Sequence, residues 1–125
     1  MRIGIDTFGC DHARSGLGTY LLSFIANLPK IEGIDFELFG PELDRFTYNS
    51  GKDIPFEAVS VGDSLSAERL WHFANSGKFV SSRKYDAVFY EAPEKVLPIN
   101  FKTPGIAVVN TVLSSLIEGK KDWIQ

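Results

Sequence analysis

The chain is 125 residues long, and 44% of them are hydrophobic and 23% charged, an ordinary globular balance that excludes disordered, collagen-like and low-complexity classes. Thirteen Lys and Arg against sixteen Asp and Glu leave a net charge of −3, which is no footprint for sequence-independent nucleic-acid binding. Cys10 is the single cysteine, so neither an intramolecular disulfide nor a cysteine-based zinc site can form. The length fits one domain, residues 1–125, with a core that needs no staple. No apolar run approaches the about 18 residues of a membrane helix. Met1 is followed by strand-like residues rather than by a basic start and an apolar core, so no signal peptide is expected. The expected compartment is the reducing cytoplasm, with peripheral attachment at the inner membrane surface as its variant.

Residues 2–7 open the chain as a strand, with the β-branched Ile3 and Ile5 alternating with small or polar residues. A polar loop over 8–15 follows, and Ser15-Gly16-Leu17-Gly18 opens a helix. Leu17, Tyr20, Leu21, Phe24, Ile25 and Leu28 fall on one helical face, Ser15 is the expected N-cap and Pro29 the stop. Leu21, Phe24, Ile25 and Leu28 are expected to be buried. Residues 36–39 form a second strand ended by Gly40-Pro41, and 42–55 is a loop or contains one short helix. Residues 56–61 alternate as a third strand, and Asp63 or Ser64 caps the next helix. There Ala67, Leu70, Trp71 and Ala74 keep helical spacing, with Phe73 widening the apolar face and Gly77 weakening the second half. Residues 86–91 read as a short buried strand, and 92–104 as a loop with three prolines. Residues 105–111 are the best buried-strand candidate, and 113–118 a short helix. The alternation predicts an open, doubly wound, mostly parallel α/β sheet of Rossmann-like type with helices on both faces. The strand at 2–7 should be central, between 36–39 and 86–91. Such sheets bind ligands outside the carboxyl ends of their strands, which directs attention to 7–18, 91–97 and 110–115.

Two readings stay open for Gly16–Gly18. A helix N-terminus with glycines suits a phosphate, and the same residues make a tight loop entering a helix. The dinucleotide fingerprint is excluded, because the loop is too long and Leu21 occupies the third glycine position. A P-loop is excluded because no Gly-Lys-Ser/Thr follows. Asp11 with His12 falls short of a metal site. Arg14 is a contact for an anionic ligand or a solvated loop charge. Glu91 and Glu94 could divide acid and base roles, although solvated charge is the simpler reading. Trp71 and Phe73 read as core, His72 as a helix-surface residue, and Lys120-Lys121 as a solvated pair.

Arg-Ile-Gly-Ile-Asp at 2–6, followed by Ser-Gly-Leu-Gly-Thr-Tyr at 15–20 and an amphipathic helix, resembles the start of group 1 (family four) glycosyltransferases, which often read Ser-Gly-Ile-Gly-Arg-Tyr there. The resemblance continues in Glu68-Arg69-Leu70-Trp71, in Tyr85-Asp86-Ala87-Val88-Phe89 and in Leu97-Pro98, and ends with Pro104 and the run at 106–109. It implies the amino-terminal Rossmann-like domain of a two-domain enzyme of the B architecture. That domain shapes the acceptor side, and its glycine loop approaches the donor phosphates. A carboxy-terminal domain, missing here, holds most of the nucleotide-sugar site. The partners implied are a nucleotide-sugar donor and a sugar or lipid-linked acceptor. Thr19 stands where the family commonly has Arg, and Asn110-Thr111 where it commonly has His-Asp.

Substrate contacts are therefore expected from Arg14, Ser15, Gly16, Leu17, Gly18, Asn110 and Thr111. No residue of this chain is expected to be catalytic, and no cofactor or metal is expected. The leading expectation is the acceptor-side part of a glycosyltransferase that transfers no sugar alone. The alternative is a free-standing, non-catalytic ligand- or protein-binding module of the same fold. A receiver-like domain ranks last, since it wants an acidic cluster near the first strand, where Asp6 stands alone.

Overall fold

A computed structural model describes residues 1–14, 16–48, 54–93, 95–98 and 103–107. β1 (Arg2–Asp6) leads through a single turn at Asp11–Ala13 into α1 (Gly16–Ala26). β2 (Asp35–Gly40), α2 (Asp44–Thr47), β3 (Phe56–Ala58), α3 (Leu65–Ala74), α4 (Ser76–Arg83), β4 (Ala87–Tyr90) and β5 (Gly105–Ala107) follow. The five strands are all parallel, in the order β3-β2-β1-β4-β5. This is a Rossmann-like α/β sheet with β1 central, as expected. It is not the flavodoxin-like order of receivers, in which β1 lies between β2 and β3.

The chain moves outward from β1 to β3 and then returns past β1 to β4, so right-handed crossovers put α1 and the α3–α4 pair on opposite faces. Strand alternation supplies each face with its core. Ile5 and Leu38 meet Leu21 and Ile25 of α1 on one face, all essentially fully buried. Phe39, Val88 and Tyr90 meet Val80 of α4 and Tyr85 on the other. Gly4 belongs to this second face, where a Cβ would press on the Tyr85 and Phe39 rings. Near the amino ends of the strands the buried Glu37 accepts hydrogen bonds from Arg2, Arg83 and the Tyr85 hydroxyl, so its charge is fully matched.

Several expectations change. Phe24 and Leu28 are half-buried rather than buried; Phe24 lies at the flank of α1, edge-on to Phe89 at 5.3 Å. β3 is shorter than residues 56–61 and forms a sheet edge. The residue 42–55 segment does hold one short helix, α2. Ser64 caps α3 by accepting the Ala67 N–H at 3.1 Å. A break at Asn75 then splits the expected long helix into α3 and α4. The face of α3 is also turned. Leu70 is 65% and Phe73 67% exposed, and Ala74 is exposed, while His72 and Ser76 are buried and Trp71 half-buried. The cause is Asp6 at the end of β1: a buried carboxylate needs a partner, and that need outweighs burial of two apolar side chains. β5, expected to be buried, is an exposed sheet edge. Ser15, Glu94, Asn110 and Thr111, the expected helix at 113–118 and Lys120-Lys121 lie outside the described residues. Among the described residues no helix is long and apolar enough to cross a membrane.

Candidate functional site

The sheet order reverses between β1 and β4, which is where ligands of open α/β sheets are bound. Here the reversal point is plugged. Gly9, at a φ of 82°, brings the loop after β1 against the loop after β4, so close that a Cβ would meet Ala92 and Val96. Arg69 Nε donates to the Lys95 carbonyl at 2.8 Å and ties the second loop to α3. The open space is displaced toward β2 and α3. It is a pocket of about 260 Å³ whose lining includes Thr7, His12, Arg14, Asp44, Asp63, Glu68 and Lys95. A neighbouring hollow of about 240 Å³ shares His12, Asp63 and Glu68. A larger concavity, about 930 Å³, lies at the amino end of the sheet along residues 28–37. It holds no histidine, and its one buried carboxylate is the matched Glu37.

His12 reaches the pocket on a costly backbone. Asp11, His12 and Ala13 have φ of 51°, 50° and 65°, a left-handed turn made without glycine. Each such residue costs on the order of 1–2 kcal/mol. Tyr48, buried behind α2, holds the turn: its hydroxyl accepts the Ala13 N–H at 2.9 Å and donates to the Cys10 carbonyl at 3.3 Å. Gly18 supports it from α1, where a Cβ would overlap the backbone of Ala13 and Cys10. Asp44 then takes His12 Nδ1 at 2.6 Å and the Thr7 hydroxyl at 2.7 Å. Gly40 makes room for Thr7, whose Oγ1 a Cβ there would strike. The Asp44 side chain is 1% exposed and that of His12 17%. His12 Nε2 faces the exposed Asp63 carboxylate at 3.6 Å, beyond hydrogen-bond reach. Burial works against the imidazolium, but Asp44 and then Asp63 hold the His12 pKa above its ordinary value.

A second imidazole lies beneath. His72 Nε2 is 2.6 Å from Asp6 Oδ2, and Nδ1 is 2.7 Å from the Glu68 carbonyl. Asp6 Oδ1 accepts the Phe8 N–H at 2.8 Å. Both partners of His72 present acceptor oxygens, an arrangement that favours the doubly protonated ring. Burial opposes that charge, and the Asp6 carboxylate outweighs it, leaving the pKa raised. His72, expected at the helix surface, is instead buried against Asp6.

Glu91 directly follows β4, and Asp6 is the last residue of β1. It is 1% exposed, not a solvated charge, and neither carboxylate oxygen has a hydrogen-bond partner among the described residues. Burial, and then the charge of Asp6, push its pKa up to about 7.

Of the residues expected to contact substrate, Arg14 lines the pocket, exposed and bonded to Asp11 at 3.0 Å. Gly16 is exposed with open space beside it, Leu17 packs half-buried against the core, and Gly18 is buried in packing. Ser15, Asn110 and Thr111 are not among the described residues. Thr7, Asp44, Asp63 and Glu68 were missed. The available signal was a carboxylate closing a buried strand, at Asp6 and at Glu91. Nothing local marks Asp44. Among the described residues no group of three or more His, Cys, Asp and Glu side chains is arranged to hold a metal. No family model matches the chain, and neither a curated protein nor a solved structure matches it significantly.

Proposed function

We propose that the chain is the acceptor-side part of a glycosyltransferase and that its pocket binds the hydroxyl-rich acceptor. The observation that carries this reading is the charge of the lining: Asp11, Asp44, Asp63 and Glu68 outnumber Arg14 and Lys95. Carboxylates and an imidazole make good hydrogen bonds to neutral hydroxyls, while a diphosphate would meet repulsion there. The motif Ser-Gly-Leu-Gly-Thr-Tyr at 15–20 and the strand order support the same reading. The donor diphosphate and most of the charge stabilisation at transfer come from a second domain in this reading, since a single pocket wall offers too few preorganised donors. Cys10, free and buried, fits a cytoplasmic setting.

The test is titration of the chain with a panel of methyl glycosides and, separately, with uridine diphosphate, followed by amide shifts. The expected result is millimolar glycoside binding that moves Thr7, His12 and Asp63, with no diphosphate response at those residues. A panel that leaves all three unmoved would contradict the reading. The exposed Leu70 and Phe73 on α3 favour a second reading, a non-catalytic protein-binding module. It predicts that no donor is ever consumed, even when a donor-binding domain is supplied.

A further inference from the structure

We infer that the turn after β4 is a proton-latched plug on the reversal point of the sheet: with Glu91 protonated it stays shut, and with Glu91 ionised it lifts and opens the crevice between β1 and β4. The inference is independent of the glycosyltransferase reading. The reversal point is where an open parallel sheet takes its ligands, and in this chain two loops fill it. Ala92 and Val96 close over Gly9, whose missing side chain lets them approach. Ala92 belongs to the apolar core under α1 and Val96 to the core under α3 and α4, so this one turn seals both faces of the sheet end. Glu91 immediately precedes Ala92. It is sealed, and neither of its oxygens has a hydrogen-bond partner among the described residues. A neutral carboxylic acid can lie in such a place, whereas a carboxylate there demands water or donors.

The groups around Glu91 offer the carboxylate no relief. Asp6, from the end of β1, adds a second negative charge. Its oxygens are already committed to the Phe8 N–H and to His72 Nε2, so His72 of α3 is spent on Asp6. Cys10, from the loop after β1, and Tyr90, from β4, are buried acids that burial keeps neutral. Lys95, the cation of the turn, lines the open pocket, and Arg69 of α3 donates to the Lys95 carbonyl. Burial, and then Asp6, push the Glu91 pKa up to about 7 from an ordinary 4.5. Motion gives what the neighbours do not. Lifting the turn hydrates Glu91 and gives up two small apolar contacts and the Arg69 hydrogen bond, less than unfolding the sheet requires. The closed turn holds the proton more tightly than the open one. Opening therefore becomes easier as pH rises from 4.5 and levels off above about 7.

The experiment is amide hydrogen exchange by NMR across pH, corrected for the intrinsic exchange rate. The Lys95 and Val96 N–H groups, both bonded to the Ala92 carbonyl at 3.0 Å, report the turn. The Asp35 N–H, bonded to the Met1 carbonyl at the far end of the sheet, is the control. In the unaltered chain the opening constant at Lys95 and Val96 should rise at least about tenfold between roughly pH 5 and pH 7.5, with Asp35 unchanged. Glu91→Gln, uncharged at every pH, should remove the rise. A flat profile at Lys95 and Val96 in the unaltered chain overturns the plug, whatever the variant does. An equal rise at Asp35 also overturns it, because the whole fold rather than the turn would then be loosening. A well-folded Glu91→Gln chain that keeps the rise assigns the latch to another group and overturns the role of Glu91.

Discussion

His72 and His12 each face a buried aspartate at 2.6 Å, and the two pairs do opposite things. At His72 every polar atom is matched and the side chain is sealed, with 0% exposure, so the pair joins α3 to the end of β1. At His12 the carboxylate is equally sealed, but the ring is on a strained loop with one nitrogen open to a pocket. The same pair of side chains clamps two elements when both nitrogens are spent and leaves a ring nitrogen facing a pocket when one is not. The two carboxylates near the sheet ends repeat the lesson. Glu37 receives hydrogen bonds from three side chains, whereas Glu91 receives none among the described residues.

The largest expected effect tests the sealed pair. His72→Ala leaves Asp6 as an unpaired buried charge and should cost about 3–5 kcal/mol in denaturant unfolding. A loss under about 1 kcal/mol would mean that Asp6 is hydrated and the pair is not structural.

Glu91 comes next. Its pKa is about 7 in the folded chain against an ordinary 4.5, so the folded state holds this proton more tightly than the unfolded state. Its contribution is therefore fully present below pH 4.5 and is lost as pH rises to about 7. Glu91→Gln should flatten the stability profile, removing about 3 kcal/mol of the decline between roughly pH 4.5 and pH 8. His72 has the same sign, its raised pKa losing stability as pH climbs from 6.5 through the folded value. A Gln variant whose decline parallels that of the unaltered chain would show that Glu91 is ionised and solvated.

The smallest effect belongs to the open pair. His12→Gln keeps an amide donor for Asp44, which also retains the Thr7 hydroxyl, and should cost about 1 kcal/mol. A cost as large as that of His72→Ala would make His12 a second structural clamp.

What the sequence made legible follows from local periodicity. Ile3 and Ile5 mark β1, and Leu21 and Ile25 mark the inner face of α1, because neighbours along the chain share the same layer. The place of β1 between β2 and β4 followed from alternating elements and crossover handedness. The site was less legible because its pairings span long distances along the chain: Asp6 with His72, Thr7 with Asp44, Ala13 with Tyr48. Apolar spacing on α3 pointed to Leu70, yet the helix is turned by a carboxylate in a strand far away. Gly18 read as room for a ligand, and the room is taken by Ala13.

The most direct measurement of the account is a pH titration of both imidazoles by long-range ¹H–¹⁵N NMR. His72, sealed between Asp6 and the Glu68 carbonyl, should keep protons on both nitrogens, protected from exchange, to a higher pH than His12, whose Nε2 faces the pocket. Two rings that titrate together, or a His72 that deprotonates first, would contradict the division between a sealed pair and an open one.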